Sequence, residues 1–481
     1  MEHLELDSCL SIIDIGSNSI RMVIYDEISS FPRIILDEKA ECHLADGIGI
    51  DGLLKEENIE KALENINRFA ALLDYAKIFN RNIIATSACR EASNAAEFVA
   101  SVEKILKTKV NIISGEREAK LSALGVSMEI PQASGLVADI GGGSLELSVL
   151  DNKTVSECTS FKLGYHSMYD VEIKNKYSER QMENYIDETL SSADFLSNDE
   201  TTNLYLVGGR WKRLARLHME LNSYPLKIVG NYKISSSEVN KFLKIDDVNS
   251  TLRLAALLLK SLIKVTNVKN IIFCTNGIRE GWICSKLKAS DREINPLYES
   301  VVKITMLDKK IAFKRANNLT DWILSSGFVN LASGLHIDVK KIIFVSALLI
   351  QAFIFNNKEQ KSNAVFNYVI NLNLPNLSHK ERIFMAYVLF CSLAGNKTNK
   401  EIKKYLNILD FPMIKKAKKL GYFFRLAIYL SPGDSKLLKF IDLDLENSGL
   451  KLSSSKKKLE NLFIGSTIHE ILLGLENLIG Y

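Results

Sequence analysis

The sequence is poor in the residues that build metal ribbons and disulfide frameworks. Seven cysteines are scattered from Cys9 to Cys391, and none forms a C-x-x-C pair. That excludes a zinc ribbon or a dithiol redox motif and suits reduced thiols in a cytoplasmic setting. Seven histidines form neither an H-E-x-x-H motif nor a His-Asp dipeptide, which argues against a histidine-built metal centre. Long apolar runs are missing too. The longest, Ile342–Phe355, is broken by Ser346 and Gln351 and is too short to span a bilayer. Met1–Leu10 carries three acids and no Lys or Arg, unlike a secretory leader. No nucleic-acid-binding motif is present. These absences point to a cytoplasmic protein with no membrane or nucleic-acid partner.

What is present is an ordinary globular composition, 47% hydrophobic and 25% charged over 481 residues. That length predicts about three domains. The net charge of +4 hides an asymmetry. Residues 1–290 carry 34 basic and 40 acidic residues, and residues 291–481 carry 27 and 17. The excess cation gathers in Lys309-Lys310, Lys314-Arg315, Lys415-Lys416, Lys418-Lys419 and Lys456–Lys458. Such clusters either solubilise the surface or hold a polyanion by screened attraction.

An internal repeat organises the first half. Ile12–Asp26 is echoed by Val137–Asp151 at a constant offset of 125, with Asp, Ile, Gly, Ser and the closing Asp in register. Each copy reads as strand, small-residue turn and strand, a β-hairpin. Two copies imply two similar lobes, and the spacing is too long for a solenoid. Between and after them the pattern is α/β. Helices are expected at Glu56–Tyr75, Ala95–Leu106, Glu116–Val126, Trp211–Leu221 and Leu252–Val265. Short strands are expected at Asn82–Thr86, Val110–Ile113, Asn203–Val207 and Asn270–Cys274. The expected domains are 1–130 and 131–290, then a linker at 291–316. From 317 to 481 the periodicity is helical throughout, which predicts an all-α domain.

Four clusters carry chemistry. The two turns expose backbone N–H groups that can cradle phosphate: Ser17, Asn18 and Ser19 in one, Gly142, Gly143 and Ser144 in the other. Asp14 and Asp139 precede them at equivalent places. A carboxylate there either holds a divalent metal, orients water or caps the turn. Glu146 stands where the first copy has Arg21, so the two hairpins differ chemically. Arg90, in Ala85–Asn94, follows a strand and is placed to clamp a phosphoryl group or to lie on the surface. Arg279, in the looser echo Thr275–Gly281, either serves the same end or holds the domain interface. Glu118 sits in the first turn of a helix beside Glu116. Glu116 complements the helix dipole, whereas Glu118 becomes a general base if a cleft desolvates it.

These motifs resemble the exopolyphosphatase and guanosine pentaphosphate phosphatase family, within the superfamily of actin, sugar kinases and heat-shock chaperones. The carriers are Asp-Ile-Gly-Ser-Asn-Ser at 14–19, Ala-Thr-Ser-Ala-Cys-Arg-Glu-Ala-Ser-Asn-Ala at 85–95, Ile-Ser-Gly-Glu-Arg-Glu-Ala at 113–119, Asp-Ile-Gly-Gly-Gly-Ser at 139–144 and Gly-Ile-Arg-Glu-Gly at 277–281. The resemblance implies an α/β fold of two actin-like (ribonuclease H-like) lobes around a cleft. It implies Mg²⁺ and release of orthophosphate from a phosphate chain. Glu118 matches the family's catalytic base and Arg90 its phosphate clamp. Asp14, Asp139 and Glu146 are the expected metal- and water-positioning acids. The leading reading is an exopolyphosphatase. The alternatives are a guanosine pentaphosphate 5′-phosphohydrolase and a catalytically silent binder of polyphosphate or nucleotide. Long members of the family often dimerise, so a homodimer is expected.

Two departures stand out. The family's small-hydroxyl turn in the second lobe is here Val207-Gly208-Gly209-Arg210-Trp211-Lys212. Gly208 and Gly209 keep the phosphate-binding pattern. Arg210 either binds phosphate more tightly or plugs the site. The tail resembles the His-Asp phosphohydrolase domains of long members but lacks the His-Asp dyad, so it is expected to be non-catalytic.

Overall fold

The structure is a computed structural model that describes residues 8–46, 48–197, 202–244, 250–328, 334–335, 337–353, 361–394, 398–446, 449–463 and 465–479. It divides into two compact units, Met1–Pro296 and Leu297–Tyr481.

The first unit holds two sheets with related topology. The first sheet has β1 (Leu10–Ile15), β2 (Ser19–Tyr25), β3 (Ile34–Glu41), β4 (Asn80–Ala85) and β5 (Val110–Ile112) in the order β3-β2-β1-β4-β5. The second has β6 (Ser134–Ile140), β7 (Leu145–Asp151), β8 (Thr154–Phe161), β9 (Asn203–Val207), β10 (Tyr232–Ser235) and β11 (Asn270–Phe273) in the order β10-β11-β9-β6-β7-β8. Matching β6 to β1 makes the two orders agree, with β10 added at one edge. In both, the repeated hairpin is antiparallel, and its first strand pairs in parallel with the next crossover strand. The repeat in the sequence is therefore a repeat of the sheet. Central β1 is buried on both faces, whereas edge strand β3 alternates and shows charges to solvent.

Helices cover the sheets: α1 (Glu56–Tyr75), α2 (Ser87–Glu91), α3 (Ala95–Leu106) and α4 (Gly115–Glu129), then α5 (Tyr165–Asn175), α6 (Glu179–Leu190), α7 (Gly209–Leu221), α8 (Ser250–Thr266) and α9 (Ile278–Lys286). Helix α1 buries Ala62, Ile66, Phe69, Ala70 and Leu73, the stripe its spacing predicts. The Ser114 side chain caps α4 by accepting from the Arg117 N–H. Asn94 stands at the N-cap of α3, and its side chain makes no cap hydrogen bond. Helices α4 and α9 lie unusually close. A Cβ on Gly281 would overlap the Leu121 carbonyl, and one on Gly125 would overlap that of Gly277. Only glycine permits this approach.

The stretch expected as a linker is helical: α10 (Pro296–Thr305) and α11 (Lys309–Ile323) occupy most of it. Its charges hid the period, because Lys309 and Glu299 pair on the outer face while Ala312 and Ala316 are buried. The second unit continues with α12 (Val339–Ile350), α13 (Lys361–Asn371), α14 (His379–Ala394), α15 (Lys400–Leu406), α16 (Phe411–Leu430) and α17 (Ser466–Ile479). Residues 354–360 and 395–397, within the tail expected to be helical, lie outside the described residues. One feature was not expected, the antiparallel hairpin of β12 (Ile441–Glu446) and β13 (Gly449–Ser454). Its first strand, Ile-Asp-Leu-Asp-Leu-Glu, alternates with period 2. Among the described residues no helix is long and apolar enough to cross a membrane.

Candidate active site

The two turns face each other within the first unit. Each is closed by the same backbone hydrogen bond, Gly16 N–H to Ser19 O at 3.1 Å and Gly141 N–H to Ser144 O at 2.9 Å. Ser17 of the first turn meets Ser87 of α2 through their hydroxyls at 2.8 Å. A Cβ on Gly142 would lie 2.6 Å from the Ser17 Cβ, and one on Gly143 would overlap the Ser87 hydroxyl. The glycines are thus required by the approach of the opposite turn. A second bridge joins Asn18 Oδ1 to His166 Nε2 at 3.3 Å.

Behind the turns stands a cluster of acids, Glu146 buried and Asp14, Glu118 and Asp139 half-buried. Sheet register pairs Asp14 with Arg21 and Asp139 with Glu146 across their hairpins. The Arg279 guanidinium donates to Asp14 Oδ2 at 3.0 Å. Ser122 donates to Asp139 Oδ2, and Ser160 to Glu146 Oε1 at 2.9 Å. From the first turn of α4, Glu118 presents Oε2 to Arg90 Nη1 at 3.2 Å. The same Arg90 nitrogen donates to Ile113 O at 2.8 Å, which fixes the guanidinium. Ser122 lies four residues beyond Glu118, on the same helix face. That spacing was the signal for Ser122, which the sequence reading missed.

Burial sets the protonation of these acids. It pushes Glu118 well above the usual carboxylate range, Glu146 adds to the rise, and Arg90 opposes it. Burial, then Asp139, pushes Glu146 up to about 8. Asp139 is raised by burial against the Ser122 hydrogen bond. Asp14 is raised by burial against the charge of Arg279. A carboxylate poised near neutrality can take a proton from water and release it again.

A cleft of about 540 Å³ opens beside the turns. Its walls include Asp14, Ser17, Asn18, Ser19, Asp139, Gly142, Gly208 and Gly209, together with Arg21, Lys39, Arg210, Lys212 and Arg279. A second cavity of about 390 Å³ shares Ser17 and includes Ser87, Gly143, Lys162 and His166. Neither wall includes Glu118, Arg90 or Glu146. Asp139, in the cleft wall, acts on Glu118 and Glu146 by its charge, and Arg90 joins this group through Glu118.

The sequence reading also missed the support behind Arg279. Tyr25 donates to Glu280 Oε1 at 2.7 Å, and Glu280 Oε2 accepts from the Gly277 N–H at 2.9 Å. Burial raises Glu280, but Arg279 and these hydrogen bonds outweigh it and hold the carboxyl below its usual range. Asp14, expected as a metal ligand, is engaged by Arg279. Among the described residues no group of three His, Cys, Asp or Glu side chains is arranged to hold a metal ion.

The model of the Ppx/GppA phosphatase family matches residues 23–290, more than half of the chain. The chain belongs to this family. Among curated relatives, the guanosine-5'-triphosphate,3'-diphosphate pyrophosphatase of Pseudoalteromonas translucida is 41% identical over 143 residues, 30% of this chain and 29% of that protein. A Haemophilus influenzae protein named as a candidate exopolyphosphatase is 32% identical over 156 residues, 32% of this chain and 48% of its own. The chain therefore spans between about a third and a half of the relatives it matches. The crystal structure of an exopolyphosphatase from Cytophaga hutchinsonii aligns with a TM-score of 0.52 at 24% identity, covering 58% of this chain and 99% of that one. That likeness establishes the fold. The family match begins at Val23 and so includes the second turn, Arg90 and Glu118, while the first turn precedes it.

Proposed function

We propose that the chain releases terminal orthophosphate, one unit after another, from inorganic polyphosphate. The observation that carries this reading is Glu118: a half-buried carboxylate with a raised pKa, held by Arg90 and acted on by Glu146 and Asp139 behind two facing phosphate turns.

In this reading the terminal phosphoryl group lies in the cleft beside the turns, its oxygens taken by N–H and hydroxyl groups of Ser17–Ser19 and Gly142–Ser144. Arg90 adds a fixed cation. Glu118 accepts a proton from water as that water's oxygen bonds to the terminal phosphorus. The bond from that phosphorus to the bridging oxygen breaks, and the shortened chain leaves with the electron pair. A phosphoanhydride is already activated, so positioning and charge neutralisation suffice.

Asp139 and Glu146 fit a divalent cation. They are hard oxygen donors, adjacent across one hairpin, and their like charges raise the Glu146 pKa. With substrate oxygens completing its coordination, Mg²⁺ bound there would neutralise charge on the leaving phosphate. Asp14 is better used orienting Arg279.

The lysines of α16 extend the reading. Lys415 is exposed, Lys416 and Lys418 are half-buried, and burial, then Lys415 and Lys416, lowers the pKa of Lys419. Such crowded cations favour a polyanion. A second copy of the chain and a cytoplasmic location belong to the same reading. Hydrolysis of the 5′ terminal phosphate of guanosine pentaphosphate is the second reading, favoured by the 41% identity to the Pseudoalteromonas enzyme. Incubation of the protein and Mg²⁺ with each substrate, followed by phosphate quantification, chooses between them. Release from neither would sink both and leave the silent binder.

A further inference from the structure

The 540 Å³ cleft has five cationic side chains in its wall, and they are not equivalent. Arg21 is held by Asp37, Lys39 by Glu41, and Arg279 by Asp14. Lys212 donates to the Thr275 carbonyl at 2.7 Å. Arg210 makes no hydrogen bond or ion pair to any described residue, and its Nε is shielded from solvent without a partner. A shielded guanidinium N–H without an acceptor is unfavourable unless a ligand supplies one.

Arg210 is nevertheless fixed in place. Its guanidinium lies over the Tyr165 ring, 4.4 Å from the centroid. Such a cation–π contact uses none of the guanidinium N–H donors, which stay available to a ligand. Both partners are anchored to the second phosphate turn. Tyr165 N–H donates to Gly141 O at 3.2 Å. Gly208, two residues before Arg210, packs so closely on the Ile140 carbonyl that a Cβ would lie 2.5 Å from it. The guanidinium edge therefore stands at a set distance from the turn that holds the reacting phosphate.

Resting on the function proposed above, we infer that Arg210 is a specificity-determining residue that receives a phosphoryl group of the substrate other than the one removed. The stacked arginine does not plug the cleft; it measures the chain. Its ligand is phosphate oxygen, because the edge offers only donors and none is taken by a carboxylate.

The test compares the wild type with Arg210→Ala, Arg210→Lys, Tyr165→Phe and Tyr165→Leu, using tripolyphosphate and long-chain polyphosphate. Loss of a charge-assisted phosphate contact predicts a KM about tenfold higher in R210A, with kcat within about twofold of the wild type. R210K recovers only part of the loss, because lysine lacks the fork. Y165F behaves like the wild type, and Y165L shifts KM in the direction of R210A. The inference is overturned if R210A leaves KM unchanged, or if it lowers kcat and Tm at constant KM, as a structural residue would. Calorimetric titration of tripolyphosphate and of GTP into the wild type and R210A separates this inference from the hydrolase reading. Absence of phosphate release by the wild type would refute hydrolysis, whereas Arg210 is judged by tripolyphosphate binding. Weakened tripolyphosphate binding in R210A supports it; weakened GTP binding with unchanged tripolyphosphate binding overturns it, since the arginine would then stack on a base.

Discussion

Arg90 Nη1 donates both to Glu118 Oε2 at 3.2 Å and to the Ile113 carbonyl at 2.8 Å. The carbonyl tether keeps the guanidinium where it can lower the Glu118 pKa without moving toward the carboxylate. Burial and Glu146 win the contest, and Glu118 stays well above the usual carboxylate range.

This balance fixes a pH dependence. A general base works deprotonated, so with Glu118 in the role proposed above kcat/KM should rise with pH through its pKa. Removing Arg90 removes a cause that lowers that pKa. The residual activity of Arg90→Ala should therefore show its acid limb displaced to higher pH. A pH–rate profile checks this, and an undisplaced limb would separate Arg90 from Glu118.

Glu146 makes a stability prediction. Its folded pKa, about 8, is above the ordinary 4.5. Between those values the folded state holds a proton that the unfolded chain has lost, so stability falls as pH rises through that window. In chelator-treated protein, Glu146→Gln should raise Tm at about pH 8.5 and have less effect at about pH 5. Added Mg²⁺ should raise the Tm of the wild type at the higher pH more than that of the variant. Scanning calorimetry at the two pH values reads both effects.

The facing turns predict a steric lesion. Gly142→Ala places a methyl 2.6 Å from the Ser17 Cβ, in a contact with no flexible group to yield. It should destabilise the protein by about 1–3 kcal/mol, as overpacking does. Phosphate release should fall more than tenfold, because both turns shift. Denaturant unfolding and a phosphate assay measure the two effects.

Much of this site was legible in the sequence. The repeat at offset 125 became two sheets of matching order, because similar hairpins with equivalent parallel neighbours pack alike. The turns, Arg90, Glu118 and the two hairpin acids were found from residue type and from their places at strand ends. What stayed hidden depends on contacts between distant segments. Tyr25 reaches Glu280 across 255 positions, and Asp14 reaches Arg279 across 265. No local period reports such pairs. The helices of 291–316 were obscured by charges on their outer faces, and the β12–β13 hairpin by the helical periods around it.

The lysines of α16 give a prediction for the second unit. Replacing Lys415, Lys416, Lys418 and Lys419 by Ala should weaken binding of long polyphosphate and flatten its salt dependence, leaving tripolyphosphate turnover unchanged. Affinity measured at two ionic strengths tests it. Unchanged salt dependence would make these residues a solvated surface.

The most direct measurement concerns Glu118 itself. In Glu118→Gln the side chain keeps its size and loses the ability to accept a proton. Phosphate release from polyphosphate under Mg²⁺ should fall by about 100-fold or more in kcat, the usual worth of a general base, with KM and Tm close to the wild type. Undiminished release by E118Q would contradict the account.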